Sequence, residues 1–125
     1  MRFDIITIFP KIFDSYLRES MIARADKKGI IEIKIHNLRD FTIGKHKKVD
    51  DRPFGGGPGM VLMLEPIYKA VEMARGRGRR ANYNKKRVIL FSTQGKKLNS
   101  TTAKRLSKYN QLILVCGRYE GVDER

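Results

Sequence analysis

The sequence has no tryptophan, a single cysteine, two histidines, and 13 acidic residues against 27 lysines and arginines. One cysteine excludes a disulfide framework and a cysteine zinc cluster. Cys116 lies in the apolar run LILVCG, where it reads as a small buried hydrophobe rather than a nucleophile. His36 closes a strand-like run and His46 sits among lysines. Neither has a partner at metal-ligand spacing, which argues against a histidine metal site. No apolar run reaches membrane-spanning length, and the opening MRFDIITIFP carries an acid and a proline inside its apolar stretch. It reads as neither a signal peptide nor a membrane span, so a soluble cytoplasmic protein is the default expectation. The dinucleotide pattern GxGxxG and the phosphate loop GxxxxGK[ST] are both missing, which disfavours a nucleoside triphosphatase.

What is present begins with size and charge. A chain of 125 residues, 41% hydrophobic and 32% charged, suffices for one domain with a real core. A formal net charge of +14 and a pI near 10.2 favour a polyanionic partner, nucleic acid first among soluble ones. The plainer alternative is a basic surface that serves only solubility.

Residues 49–60, VDDRPFGGGPGM, form the most unusual stretch. Glycine is costly inside helices and strands, and proline fixes φ and removes a donor, so this run is a loop. Two prolines, Phe54 and the charge triplet Asp50-Asp51-Arg52 distinguish it from a Gly/Ser linker. An ordered loop that lets its backbone approach a ligand or another chain is expected.

Apolar patterning organises the rest. Residues 3–9 read as a buried strand closed by Pro10, followed by a helix over 11–18 with Ile12, Phe13, Tyr16 and Leu17 on one face. Ser20 is placed to cap a second helix over 21–28 that Gly29 stops. Residues 30–36 alternate as a strand with one wetter face, and strand–helix–strand implies a right-handed parallel crossover. Residues 37–59 read as one long irregular segment containing the basic cluster TIGKHKK. Glu65-Pro66 opens a helix with the stripe Ile67, Ala70, Val71 and Ala74. Residues 75–86 (RGRGRRANYNKK) read as a basic loop, equally suited to phosphates or to water. A strand over 87–91, a helix capped by Asn99 or Ser100 and running to about 109, and a strand over 111–116 complete the chain. The expected fold is α/β, a mostly parallel sheet with helices on both faces. Ligands of such sheets bind beyond the carboxyl ends of the strands, and two loops fall there: STQG (92–95) and GRYEG (117–121).

Together, VDDRPFGGGPGM, STQGKKL and LILVCGRYEGVDER, with FDIITIFPKIFDSY and RDFTIGKHKKVDDRP, resemble the bacterial tRNA (guanine-N1)-methyltransferases along essentially the whole chain. That resemblance implies a SPOUT-class fold with a deep trefoil knot, and transfer of a methyl group from S-adenosylmethionine to guanine N1 of tRNA at position 37. It also implies homodimers with interfacial active sites, and assistance by magnesium. By motif, Ser92, Thr93, Gln94 and Gly95 would form one wall of the cofactor pocket. Gly117, Tyr119 and Gly121 would form the other, with Gly117 foremost. Asp50, Arg118 and Glu120 would be the catalytic candidates, and Arg52, Gly59, His46 and Lys47 would face the tRNA. Asp50, Asp51 and Glu120 are candidates for magnesium. Thr93 stands where members of the family often have proline.

These residue types suit the chemistry. Guanine N1 must lose a proton to become nucleophilic, which calls for a carboxylate base, and an arginine beside the purine carbonyl would stabilise the developing charge. Each also has a structural reading: Asp50 or Asp51 pairing with Arg52, an Arg118–Glu120 ion pair, Gln94 closing a turn. In the family more sequence follows GRYEG, including the aspartate taken as base and a C-terminal tRNA-binding domain. Residues 1–125 are therefore expected to be the N-terminal, SPOUT-like methyltransferase portion, with its knot incomplete and little or no turnover alone. The alternative reading is a non-catalytic basic RNA-binding fragment.

Overall fold

A computed structural model describes residues 1–76 and 85–123 of the chain. Four parallel strands form the main sheet: β1 (Arg2–Thr7), β2 (Glu32–Asn37), β5 (Lys86–Leu90) and β6 (Gln111–Val115), in the order β2-β1-β6-β5. The two central strands, β1 and β6, carry the longest buried runs, as their near-continuous apolar sequences require. A second, antiparallel ribbon pairs β3 (Asp50–Asp51) with β4 (Val61–Leu62).

One helix governs the core. α3 (Leu64–Arg75) opens with Pro66 in its first turn and turns Ala70 and Ala74 inward, both essentially buried. They meet Ile6 and Ile8 from the first strand and its exit, Ile113 and Val115 from β6, and Leu38, Val49 and Leu62 from the intervening segment. Small residues at 70 and 74 let the helix approach the sheet closely. The remaining helices are short: α1 (Asp14–Leu17), α2 (Ser20–Lys27) and α4 (Ser100–Leu106). The connections β1 to β2 and β5 to β6 step the same way across the sheet, while β2 to β5 steps back. α3 packs on the two central strands, β1 and β6.

Several local expectations are corrected. Residues 10–17 form a 3-10 turn (Pro10–Phe13) and a single α turn rather than one helix, and Ile12 and Tyr16 are exposed instead of packed. Ser20 lies inside α2 with φ of 53°, and Glu19, without a side-chain cap bond, precedes it. The supposedly irregular 37–59 contains a 3-10 turn (Leu38–Phe41) and β3. Asn99 is the cap of α4, accepting from the Thr102 amide at 2.8 Å. Most of the basic stretch 75–86 lies outside the described residues.

Asp4 is the main polar group in this core. Its carboxylate is wholly buried on β1, accepting from Arg2 Nε and Nη2 (2.8 and 2.7 Å), from His36 Nε2 (2.7 Å) and from Gln111 Nε2 (2.7 Å). Gln111 Nε2 also donates to the Ala74 carbonyl at 2.8 Å, joining β6 to α3, while its Oε1 has no hydrogen-bond partner. Flipping that amide would set oxygen against oxygen, so the network fixes its orientation. Burial pushes Asp4 upward, but the hydrogen bonds from His36, Arg2 and Gln111 and the charge of Arg2 outweigh it, leaving a pKa of about 2 against 3.8. A carboxyl depressed in the folded state adds stability that is complete above 3.8 and disappears as pH falls through about 2. That contribution is about 2 kcal/mol. Urea denaturation between pH 5 and pH 2 is expected to show this loss in the wild type and a flatter acid limb in Asp4→Asn.

Candidate ligand site at the carboxyl ends of the strands

Three chain segments meet where the parallel strands end. The first is the ribbon and the glycine loop between its strands. Its last turn is stitched to the segment after β6: the Glu120 amide donates to the Met60 carbonyl (3.1 Å), Leu62 to Gly121 (3.0 Å) and Asp123 to Leu62 (2.9 Å). Leu62 and Val122 form a parallel bridge. Met63 donates in turn to the Val49 carbonyl (2.8 Å), closing the base of the loop.

Within this junction Gly59 has φ of 98° and lies under the Glu120 side chain. A Cβ at position 59 would stand 2.5 Å from Glu120 Cγ and 3.0 Å from Oε1. Gly59 and Glu120, assigned from separate motifs, are thus direct neighbours. Tyr119 takes a left-handed φ of 60°, which turns the chain sharply between Arg118 and Glu120.

The second and third segments follow β5 and β6. Phe91 continues the sheet, donating to Val115 at 3.0 Å, and Ser92–Gly95 then closes a tight turn. In that turn the Gly95 amide donates to the Ser92 carbonyl (3.2 Å) and the Gln94 amide to the Ser92 hydroxyl (3.2 Å). A Cβ on Gly95 would lie 3.1 Å from the Ser92 carbonyl oxygen. Across the strand gap, a Cβ on Gly117 would lie 3.2 Å from the Phe91 carbonyl oxygen. The segments that follow β5 and β6 therefore approach each other at Phe91 and Gly117 where they leave the sheet, and residues 92–95 are exposed. Such bare backbone is what a flat or extended ligand needs for close approach.

Arg118 points elsewhere than at Glu120: its guanidinium carbon sits 5.1 Å from the centroid of the Phe9 ring. Sequence reading assigned Phe9 only to the end of a strand. Asp50 is half-buried in β3 opposite Leu62. Asp51 is exposed and accepts from the Arg52 amide (2.8 Å) and from Lys48 Nζ (3.1 Å), interactions that hold its carboxyl below the usual range. Arg52 is exposed beside it. Lys47, with φ of 46°, belongs to a separate loop; its Nζ lies 3.7 Å from Asp40 and its carbonyl accepts from Arg39 at 3.4 Å. His46 is exposed in the same turn. Cys116 is half-buried, and burial pushes its thiol upward, in keeping with an inert packing role. A groove of about 480 Å³ runs between the ribbon and the start of α3, lined by Asp51, Phe54, Val61, Tyr68 and Asp123 among others. None of residues 92–95 or 117–121 lines it.

Among the described residues, no three His, Cys, Asp or Glu side chains gather in a metal-binding group. No helix among the described residues is long and apolar enough to cross a membrane.

A parallel sheet with glycine-bearing turns beyond its strand ends, joined there by a loop from an earlier part of the chain, defines an α/β domain, and such sheets take their ligands at that end. The sequence profile described as tRNA (Guanine-1)-methyltransferase TrmD matches residues 1–125, and the chain belongs to that family. It is 48% identical over its full length to a tRNA (guanine-N(1)-)-methyltransferase of Geotalea uraniireducens, covering 49% of that protein. It is 51% identical to the protein of the same name from Dictyoglomus turgidum, covering 48% of it. The crystal structure of tRNA (m1G37) methyltransferase from Aquifex aeolicus superposes with a TM-score of 0.85 at 42% identity. That match covers 100% of this chain and 54% of the other. The chain thus spans about half the length of the relatives it matches.

Proposed function

We propose that residues 1–125 are the S-adenosylmethionine-binding portion of a cytoplasmic tRNA methyltransferase acting on guanine N1 at position 37, beside the anticodon. The observation that carries this reading is the meeting of the STQG and GRYEG turns at one end of the sheet, with Gly117 against Phe91 and Gly59 under Glu120. The cofactor, when bound, supplies an electrophilic methyl group on its sulfonium. Ser92, Thr93, Gln94 and Gly95 form one wall for it, and Gly117, Tyr119 and Gly121 the other. Thr93 keeps a hydroxyl donor there. Arg118 holds negative charge on the purine carbonyl as N1 loses its proton, and Asp50 and Glu120 orient the guanine edge. Arg52, Gly59, His46 and Lys47 meet the RNA backbone.

A homodimer agrees with the exposure of the large apolar side chains Ile12, Tyr16, Met21 and Ile30. The net charge of +14 is what an RNA partner would need, and it also supports the second reading, a basic RNA-binding module without chemistry. Equilibrium binding separates the two. In the presence of S-adenosylmethionine, an anticodon stem-loop with guanine at position 37 is expected to bind more tightly than one with adenine there. Both affinities should fall with salt. Equal affinities, unchanged by the cofactor, would favour the RNA-binding module.

A further inference from the structure

The sheet register brings together two residues that no motif connects. Ile6 and Val115 are the last paired residues of β1 and β6, and the Cys116 amide donates to the Ile6 carbonyl at 2.9 Å. Three residues beyond that pair on each strand stand Phe9 and Arg118. The proline that follows keeps Phe9 out of the helical region (φ −129°, ψ 69°), and its amide donates to Thr7 Oγ1 at 3.1 Å. Its ring is 41% exposed, so it is not spent on the core, and one face carries the Arg118 guanidinium at 5.1 Å.

We propose that Phe9 is a positioning residue for Arg118. A guanidinium on a long side chain samples many rotamers, and ordering it on binding costs affinity. An aromatic face anchored to β1 limits that freedom through cation–π attraction, while the planar N–H edges stay available to an acceptor. Arg118 is thereby presented beyond the strand ends before the RNA arrives. This rests on the reading of Arg118 as the group that meets the RNA at the purine carbonyl. Residues 9 and 118 are far apart in sequence, and only parallel pairing of β1 with β6 makes them neighbours.

The test uses the 125-residue chain, a synthetic anticodon stem-loop with guanine at position 37, and S-adenosylmethionine. Phe9→Leu is expected to weaken stem-loop binding by about 2- to 30-fold, the range that a cation–π contact supports. Phe9→Tyr, which keeps the ring, should restore most of the loss. In an Arg118→Ala background, Phe9→Leu should add little. A merely structural Phe9 would instead cost the same in both backgrounds, and that result overturns the proposal. NMR of the arginine side chains gives a ligand-free readout: the Arg118 Nε–H resonance should carry an aromatic ring-current shift, lost in Phe9→Leu and kept in Phe9→Tyr. Absence of the shift in the wild type overturns the pairing. A wild type that shows the shift yet binds no stem-loop contradicts the positioning role through the functional reading, not through the contact.

Discussion

Gly59→Ala is expected to destabilise the chain by about 2 kcal/mol, enough to lower its melting temperature by several degrees. Two effects add. The backbone φ of 98° is one that only glycine adopts without strain, and the new methyl would stand 2.5 Å from Glu120 Cγ. Glu120 must then swing away from the glycine loop, loosening the bonds from Glu120 to Met60 and from Leu62 to Gly121 that join the ribbon to the GRYEG turn. Pairing the change with Glu120→Ala separates the effects, since removing Cγ relieves the collision but leaves the backbone strain. The double variant should therefore be less destabilised than the sum of the two single variants. Thermal melts of the four proteins measure this. A Gly59→Ala protein that melts with the wild type would show that the junction is not as tight as its geometry indicates.

The second large effect is expected at Gly117. Its hydrogen faces the Phe91 carbonyl oxygen, and a Cβ there would sit at 3.2 Å, closer than most such contacts. Gly117→Ala should push the walls after β5 and β6 apart by a few tenths of an ångström and weaken S-adenosylmethionine binding. Gly117→Trp should fill the gap and leave no saturable heat in a calorimetric titration. Because this site is distinct from the basic surface, salt-dependent tRNA affinity should survive in both variants if their melting curves show them folded. Cofactor binding by Gly117→Trp at wild-type affinity would place the pocket elsewhere.

How much of this was legible from sequence depended on the range of the interaction involved. Three of the four parallel strands announced themselves because β1, β5 and β6 are short apolar runs bounded by proline, glycine and polar turns, and β2 did so by its alternation. α3 did so through Pro66 and its Ala70–Ala74 stripe. The ribbon escaped notice, since two-residue strands have no periodicity to read and this one is braced by residues 120–123, remote in sequence. Ile12 and Tyr16 looked like a core stripe, but spacing alone cannot say whether anything lies opposite. The buried Asp4 was hidden inside an apolar run; its partners Arg2, His36 and Gln111 come from three strands.

The site divided along the same line. STQG and GRYEG were visible as glycine-bearing turns after strands, and the glycine loop as an ordered segment. That Gly59 would lie under Glu120 required the fold, because the Leu62–Val122 bridge that sets their distance joins segments remote in sequence. Phe9 carried no signal at all, reading as one more apolar residue at the end of a strand. Lys47 was grouped with the site by motif, yet it is tied to Arg39 and Asp40 in its own loop. It would reach RNA as part of the basic surface.

On this reading one ligand site is built jointly by the turns at 92–95, 117–121 and 59–62. Amide chemical-shift mapping during an S-adenosylmethionine titration tests it most directly. Saturable shifts are expected in all three segments with a single dissociation constant, and little change around Asp4 within β1. Shifts confined to the groove beside Tyr68, or none at saturating cofactor, would contradict it.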